Sequence, residues 1–121
     1  MSDHPESFDR MLSAWNATDP GEIRALLDEA LAPDVHFVDP ANDVRGIDAF
    51  LAMVHEVQAR IPGAVYARAS RVDSHHRLHR YHWTIHRDGK LLLPGFDVTE
   101  TDAEGRVARV LGFFGPLEPD A

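Results

Sequence analysis

No cysteine occurs among the 121 residues. That absence excludes disulfides, thiolate catalysis and cysteine-ligated zinc. No window approaches the ~20 apolar residues in a row that a membrane-spanning helix needs. The first residues, Met-Ser-Asp-His-Pro-Glu-Ser, have neither a basic start nor an apolar run. No secretory signal is visible, and a cytoplasmic location is the simplest expectation. There is no Gly-x-Ser-x-Gly elbow and no glycine-rich phosphate loop, which removes serine hydrolases, kinases and dinucleotide enzymes. Basic side chains are outnumbered: 12 Lys and Arg against 20 Asp and Glu leave a formal charge of −8. A field of that sign repels nucleic acid and anionic membrane surfaces, and no basic stripe offsets it locally. A small apolar ligand or substrate remains as the expected partner, because its binding depends little on net charge.

The residues that are present, 44% of them apolar, suffice for one domain over 1–121 with a sizeable core. Asp3 and Glu6 have capping-box spacing at a helix start. Phe8, Met11, Leu12 and Trp15 then recur at i, i+3, i+4 and i+7, which puts them on one helical face. Asp19-Pro20-Gly21-Glu22 opens a second helix with Ile23, Leu26, Leu27 and Ala30 on its apolar stripe, and Pro33 is expected to end it. Val35–Val38 reads as a short strand closed by Asp39-Pro40. A third helix is expected from Gly46 to about Arg60, with Phe50, Met53, Val54 and Val57 facing inward.

From Val65 the hydrophobic period changes from 3.6 to 2. Four antiparallel strands are expected: Val65–Val72, His76–His86, Leu91–Thr101 and Arg106–Phe114. Asp88-Gly89 is a two-residue hairpin signal, Asp102–Gly105 a longer one, and Asp73-Ser74 a weaker turn. Residues 116–121 read as a frayed tail. Helices first and a strand meander afterwards make an α+β fold, ααβαββββ, with three helices covering one face of a curved, mainly antiparallel sheet.

His75, His76, His79, His82 and His86 resemble a ligand set, but strand alternation sends them to two faces. His82 and His86 would lie roughly 13 Å apart on a strand, too far for one ion. No metal site is expected. In the same strand His79, Tyr81, Trp83 and Ile85 share the more apolar face, which should look toward the helices.

A pair of aspartates is the remaining chemical signal. Asp97 interrupts an apolar strand and should share a face with Leu91, Leu93 and Thr99. If that face is covered, desolvation raises the carboxyl's pKa and favours the protonated acid. Asp39, at a strand end, should be more solvated. Two acids pushed apart in this way can supply a base and a hydrogen-bond donor. The structural alternatives are that Asp39 caps its turn, and that Asp97 faces solvent or pairs with Arg106 or Arg109.

The stretch Ala32-Pro33-Asp34-Val35-His36-Phe37-Val38-Asp39-Pro40, Arg45-Gly46 before a helix, and Gly105-Arg106-Val107 leading to Phe113-Phe114-Gly115 resemble the SnoaL-like, nuclear transport factor 2-like superfamily. The nearest pattern within it is that of the ketosteroid isomerases. The resemblance covers nearly the whole chain and implies a cone-shaped α+β domain with a deep apolar pocket and no cofactor. It places Asp39 at the general-base position and Asp97 at the position of a protonated, oxyanion-binding acid, a logic for which ketosteroid isomerase is itself the standard example. Trp15 stands where the isomerases put a tyrosine donor. An indole N–H shares a developing charge less well than a phenol, and His79 or Tyr81 could serve instead. By the same resemblance Met53, Val54, Val57, Trp83, Ile85, Val110, Gly112 and Phe114 line the pocket.

The function implied is proton transfer or enolisation on an apolar carbonyl compound, as in an isomerase or a polyketide cyclase. The alternative is non-catalytic binding of a small hydrophobic ligand, or an assembly module. Epoxide hydrolases of this fold use an Asp–Arg–Asp set, and no inward arginine is expected here. The second sheet face, with Arg80, His82, Thr84 and His86 beside Val72, Leu92, Phe96 and Val98, is the expected surface of a homodimer.

Overall fold

A computed structural model of the chain describes residues 4–120. The first helix, α1, spans Glu6–Asn16 and buries Phe8, Met11 and Ala14. Asp3, the expected cap, lies outside the described residues; Pro5 occupies the N-cap position and offers no side-chain bond. The second helix, α2, spans Pro20–Ala30, and Asp19 caps it by accepting from the Glu22 N–H at 2.9 Å. That cap satisfies one of the orphan donors of the first turn, and Pro20 sits where no donor is needed.

The chain then passes directly into strand β1, Leu31–Asp39. Pro33 therefore does not end the helix. It sits inside the strand, in a stretch where the ladder to the last strand is interrupted between Leu31 and His36. A residue without an N–H is tolerated at such a break. After a two-residue turn at Pro40-Ala41, β2 (Asn42–Arg45) folds back on β1. Helix α3, Ile47–Arg60, buries Phe50, Met53 and Val54.

The second half forms β3 (Val65–Arg68), β4 (Asp73–His75), β5 (Leu78–Arg87), β6 (Lys90–Thr101) and β7 (Val107–Phe114). The expected Val65–Val72 strand is thus shorter. Asp73-Ser74 belongs to a strand, and the tight turn falls at His76-Arg77, where His76 takes φ 53°. Asp88 and Gly89 do form the expected two-residue hairpin, with φ 54° and 76°, the pair of positive angles that a type I′ turn requires. All seven strands join one sheet in the order β2-β1-β7-β6-β5-β3, with β4 beside β5. The β1–β7 pairing is parallel and the others are antiparallel, so the sheet is mixed.

The three helices and the sheet make the α+β class that the pattern indicates. α1 packs on α2 and β3, while α3 packs on β1, β2 and α2. The core between the layers holds Phe8, Ile23, Leu27, Leu31, Val35, Phe50, Val54, Val107 and Val110, all essentially inaccessible. Among the described residues no helix is long and apolar enough to cross a membrane.

Candidate active site

The site is built from rows of side chains that run across the sheet. Tyr81 on β5 stands opposite Asp97 on β6, and Asp97 stands opposite Gly112 on β7. The next strand is β1, where Val38 aligns with Leu111. That register brings Asp39 beside Gly112, so the row reads Tyr81, Asp97, Gly112, Asp39. A Cβ at position 112 would lie 3.0 Å from Asp97 Oδ1 and 3.2 Å from Asp39 Cβ. The glycine is the gap across which the two acids meet.

Burial pushes the Asp97 carboxyl up to about 7, and the charge of Asp39 adds to the push. Two donors oppose it: Trp83 Nε1 donates to Oδ1 at 2.9 Å and the Tyr81 hydroxyl donates to Oδ2 at 3.3 Å. Asp97 is half-buried and its carboxyl is held by these two donors, not by an arginine; Arg109 pairs with Glu100 instead. Burial, with the charge of Asp97 adding to it, drives the Tyr81 hydroxyl far above its ordinary range, so it stays a donor. Asp39 closes the β1–β2 turn, its Oδ1 accepting from the Ala41 N–H at 2.9 Å and Asn42 Nδ2 at 3.1 Å. Among the described residues no donor is bonded to its Oδ2.

These groups open onto a cavity of about 290 Å³. Of the residues named from the sequence, Asp39, Asp97, Trp15, Val57, Tyr81, Trp83, Ile85 and Phe114 line it. Trp15 lies in an aromatic wall, 5.1 Å from the Tyr66 ring and 6.4 Å from Phe37. Met53, Val54, Val110, Gly112 and His79 do not line it, which corrects their expected place. Met53 and Val54 lie a turn before Val57 on α3 and are taken up by the core. Val110 and His79 belong to the neighbouring row, His79–Thr99–Val110–Phe37. In that row His79 lies under Phe8, with ring centroids 5.0 Å apart. Its nitrogens are engaged by the Ser74 and Thr101 hydroxyls, and burial lowers its pKa.

Leu91 is misplaced as well. Ile85 faces Leu93 but His86 faces Leu91, so Leu92 is an extra, bulged residue. The bulge returns Leu91 to the outer face, away from Asp97. Arg60 and Arg68 do reach the lining, contrary to expectation. Their guanidiniums are paired elsewhere, Arg60 with Glu56 at 2.7 Å and Arg68 with Asp9 at 2.9 Å. Sequence reasoning missed Tyr66, Asn42, Leu93 and Ile61 as lining residues. Phe8, Met11 and Leu12 were visible only as a helix face. Among the described residues no group of three His, Asp or Glu side chains is arranged to hold a metal ion.

The model of the SnoaL-like domain matches residues 8–110. A SnoaL-like family protein from Agrobacterium tumefaciens str. C58, provisionally named an isomerase, is 30% identical, with 91% of this chain and 95% of that one aligned at a TM-score of 0.86. A SnoaL-like protein from Jannaschia sp. CCS1, provisionally named a polyketide cyclase, is 17% identical over 94% and 89% of the two chains, with a TM-score of 0.73. A Catenulispora acidiphila protein with a ketosteroid isomerase-like fold, solved with trimethylamine, is 15% identical over 93% and 87%, with a TM-score of 0.74. The last two likenesses concern the fold alone. A search of curated proteins finds no significant match. With the domain model spanning most of the sequence and an architecture that agrees with it, this chain belongs to the SnoaL-like domain family.

Proposed function

We propose that the chain is an enzyme that moves a proton on a small, largely apolar carbonyl compound. The observation that carries this reading is the Tyr81–Asp97–Gly112–Asp39 row at the wall of a largely apolar cavity. The ligand's carbonyl oxygen would take a hydrogen bond from protonated Asp97, and one from Tyr81 once its hydroxyl turns from Asp97 Oδ2 to the ligand. Asp39 would remove the proton from the adjacent carbon through Oδ2. Charge that develops on the oxygen is then met by two donors held on the sheet in a site of low polarity, where such bonds are worth most. Return of the proton to another carbon completes an isomerisation; attack of the enolate on a second carbonyl in the same molecule completes a cyclisation. The steps use only these side chains. A cavity near 290 Å³ is at the lower end of ligand-pocket sizes and suits a small ring system. The provisional isomerase and cyclase names among the structural neighbours point the same way.

The sheet, not the first helix, supplies the phenol. Trp15 packs among aromatic rings, while Tyr81 is already bonded to Asp97. One observation favours the second reading, a binding module without chemistry. Asp39 Oδ1 holds the turn, a task a carboxylate performs in many loops.

Exchange of α-protons of cyclic ketones and enones into heavy water separates the two. Proton abstraction by a placed side chain contributes ~10²–10⁴-fold, so Asp39→Asn should slow exchange by at least ~10²-fold. Equal rates in wild type and variant remove Asp39 as the base. Tight binding of such ketones with no exchange by the wild type supports the binding module.

A further inference from the structure

Trp83 stands opposite Gly95 across the β5–β6 ladder. A Cβ built on Gly95 would fall 2.0 Å from Cζ2 of the indole and 2.3 Å from Cε2 and Cη2. The six-membered ring therefore rests on the bare backbone of Gly95, in space that any side chain at 95 would fill. From that seat Nε1 reaches Asp97, two residues farther along β6, and donates to Oδ1 at 2.9 Å. The other carboxyl oxygen faces the Tyr81 hydroxyl at 3.3 Å, long for an O–H···O bond.

We propose that Trp83, seated on Gly95, is a positioning residue that fixes which oxygen of Asp97 carries the proton: Oδ1 is held as the acceptor, and Oδ2 presents the proton to the ligand. The proposal rests on the reading of Asp97 as a hydrogen-bond donor. An indole N–H can only donate, and a protonated oxygen accepts more weakly than a bare one, so the bond to Oδ1 disfavours a proton there. A phenol both donates and accepts, so Tyr81 tolerates Oδ2 in either state. The two neighbours thus treat the two oxygens differently. An aromatic ring laid over a strand glycine is otherwise an ordinary way to cover a bare position, and phenylalanine would do that equally well. The nitrogen separates the two roles.

The chain has two tryptophans, Trp15 and Trp83, and hence two indole N–H signals. A proton–nitrogen correlation spectrum of the wild type, followed from pH 5 to 9 beside the Asp97 carboxyl carbon, tests the bond without any substitution. The Trp83 signal should move with the same midpoint as the carboxyl, near 7, while the Trp15 signal holds still. In Trp83→Phe the ring cover remains and the donor is lost, so the Asp97 midpoint should rise by ~1 unit, the size of one hydrogen bond to a charged group. Gly95→Ala should give the same upward shift by lifting the indole off its seat, with Trp83 and Asp97 both intact. An Asp97 midpoint near 7 with a Trp83 signal that does not follow it overturns the positioning role and leaves the proton-transfer reading standing. An Asp97 midpoint near 4 in the wild type overturns both. If either variant fails to fold, the wild-type spectrum decides alone.

Discussion

Gly112 stands opposite Asp97 in the β6–β7 ladder, and the space left by its missing side chain is bordered by the Asp97 carboxyl on one side and the Asp39 Cβ on the other. In Gly112→Ala the new methyl would lie 3.0 Å from Asp97 Oδ1 and 3.2 Å from Asp39 Cβ, so at least one acid must move. The strand itself should tolerate alanine, which regains roughly 0.5–1 kcal/mol of chain entropy against a crowding cost of ~1–3 kcal/mol. The expected result is a midpoint of unfolding within ~5 °C of wild type and ketone proton exchange slowed ~10²-fold, the usual cost of misplacing a catalytic group by an ångström. Unchanged exchange would show that the approach of the two acids is incidental.

The raised pKa of Asp97 makes a signed prediction about stability. The folded value, about 7, lies above the unfolded 3.8. Below pH ~4 both states are protonated and the carboxyl costs nothing. As pH rises from there to ~7 the unfolded chain releases its proton and the folded chain keeps it, so stability falls; above ~7 the penalty is constant. An offset of this size corresponds to roughly 4 kcal/mol at most. Asp97→Asn, which keeps the shape and carries no charge, should match wild type at pH 4 and melt at least ~5 °C higher at pH 8. Parallel melting curves at the two pH values would mean that Asp97 is not held as an acid.

Much of the fold and part of the site could be read from local pattern. Asp97 stood out because an acid inside an apolar strand is anomalous, and Asp39 because proline fixes the end of its strand. Tyr81 and Trp83 followed from alternation along β5. The facts that turn these residues into a site are non-local. The parallel β1–β7 pairing, which sets Asp39 beside Gly112, joins segments some seventy residues apart, and no periodicity announces strand order. The bulge at Leu92 has no sequence cue either, and it alone moved Leu91 to the opposite face. Met53, Val54, His79 and Val110 have the right face but the wrong depth, and depth depends on where the helices stop covering the sheet. Trp83 was read as lining and not as a donor, because the reach of Nε1 depends on an indole lying flat over Gly95.

The aromatic wall of the cavity depends on a clamp at the end of α1. Asn16 Oδ1 accepts from the Tyr66 N–H at 2.9 Å, and its Nδ2 donates to the Tyr66 carbonyl at 2.8 Å. These bonds hold the start of β3 to the helix and keep the Tyr66 ring 5.1 Å from Trp15. Two lost bonds at a partly exposed site are worth ~1–2 kcal/mol together. Asn16→Ala should lower the unfolding midpoint by ~3–8 °C and change the Trp15 emission as Tyr66 loosens. Asp97 should titrate as before, because the clamp touches neither Trp83 nor Tyr81. A shifted Asp97 midpoint would mean that the wall and the carboxyl pair are coupled.

The outer sheet face is expected to pair two copies of the chain. Because the Tyr81–Asp97–Gly112 row faces the cavity, the rows beside it face out: His82–Phe96–Phe113, then Arg80–Val98–Leu111–Val38. Phe113 is 58% exposed and Leu91 54%, large apolar side chains that a sheet face leaves bare at a cost. The ion pairs Arg80–Asp73 and Arg109–Glu100 lie at 2.7 and 3.3 Å, and His36 Nε2 lies 2.7 Å from Asp43 Oδ1, so much of the charge around the patch already has a partner within the chain. An apolar centre with a locally neutralised rim is the composition of a face that meets its own copy. Sedimentation at micromolar concentration should give twice the chain mass. Phe113→Glu, which sets like charges against each other across a two-fold axis, should reduce it to the single-chain mass while Asp97 titrates as in wild type. A wild type that sediments as a single chain would remove the pairing.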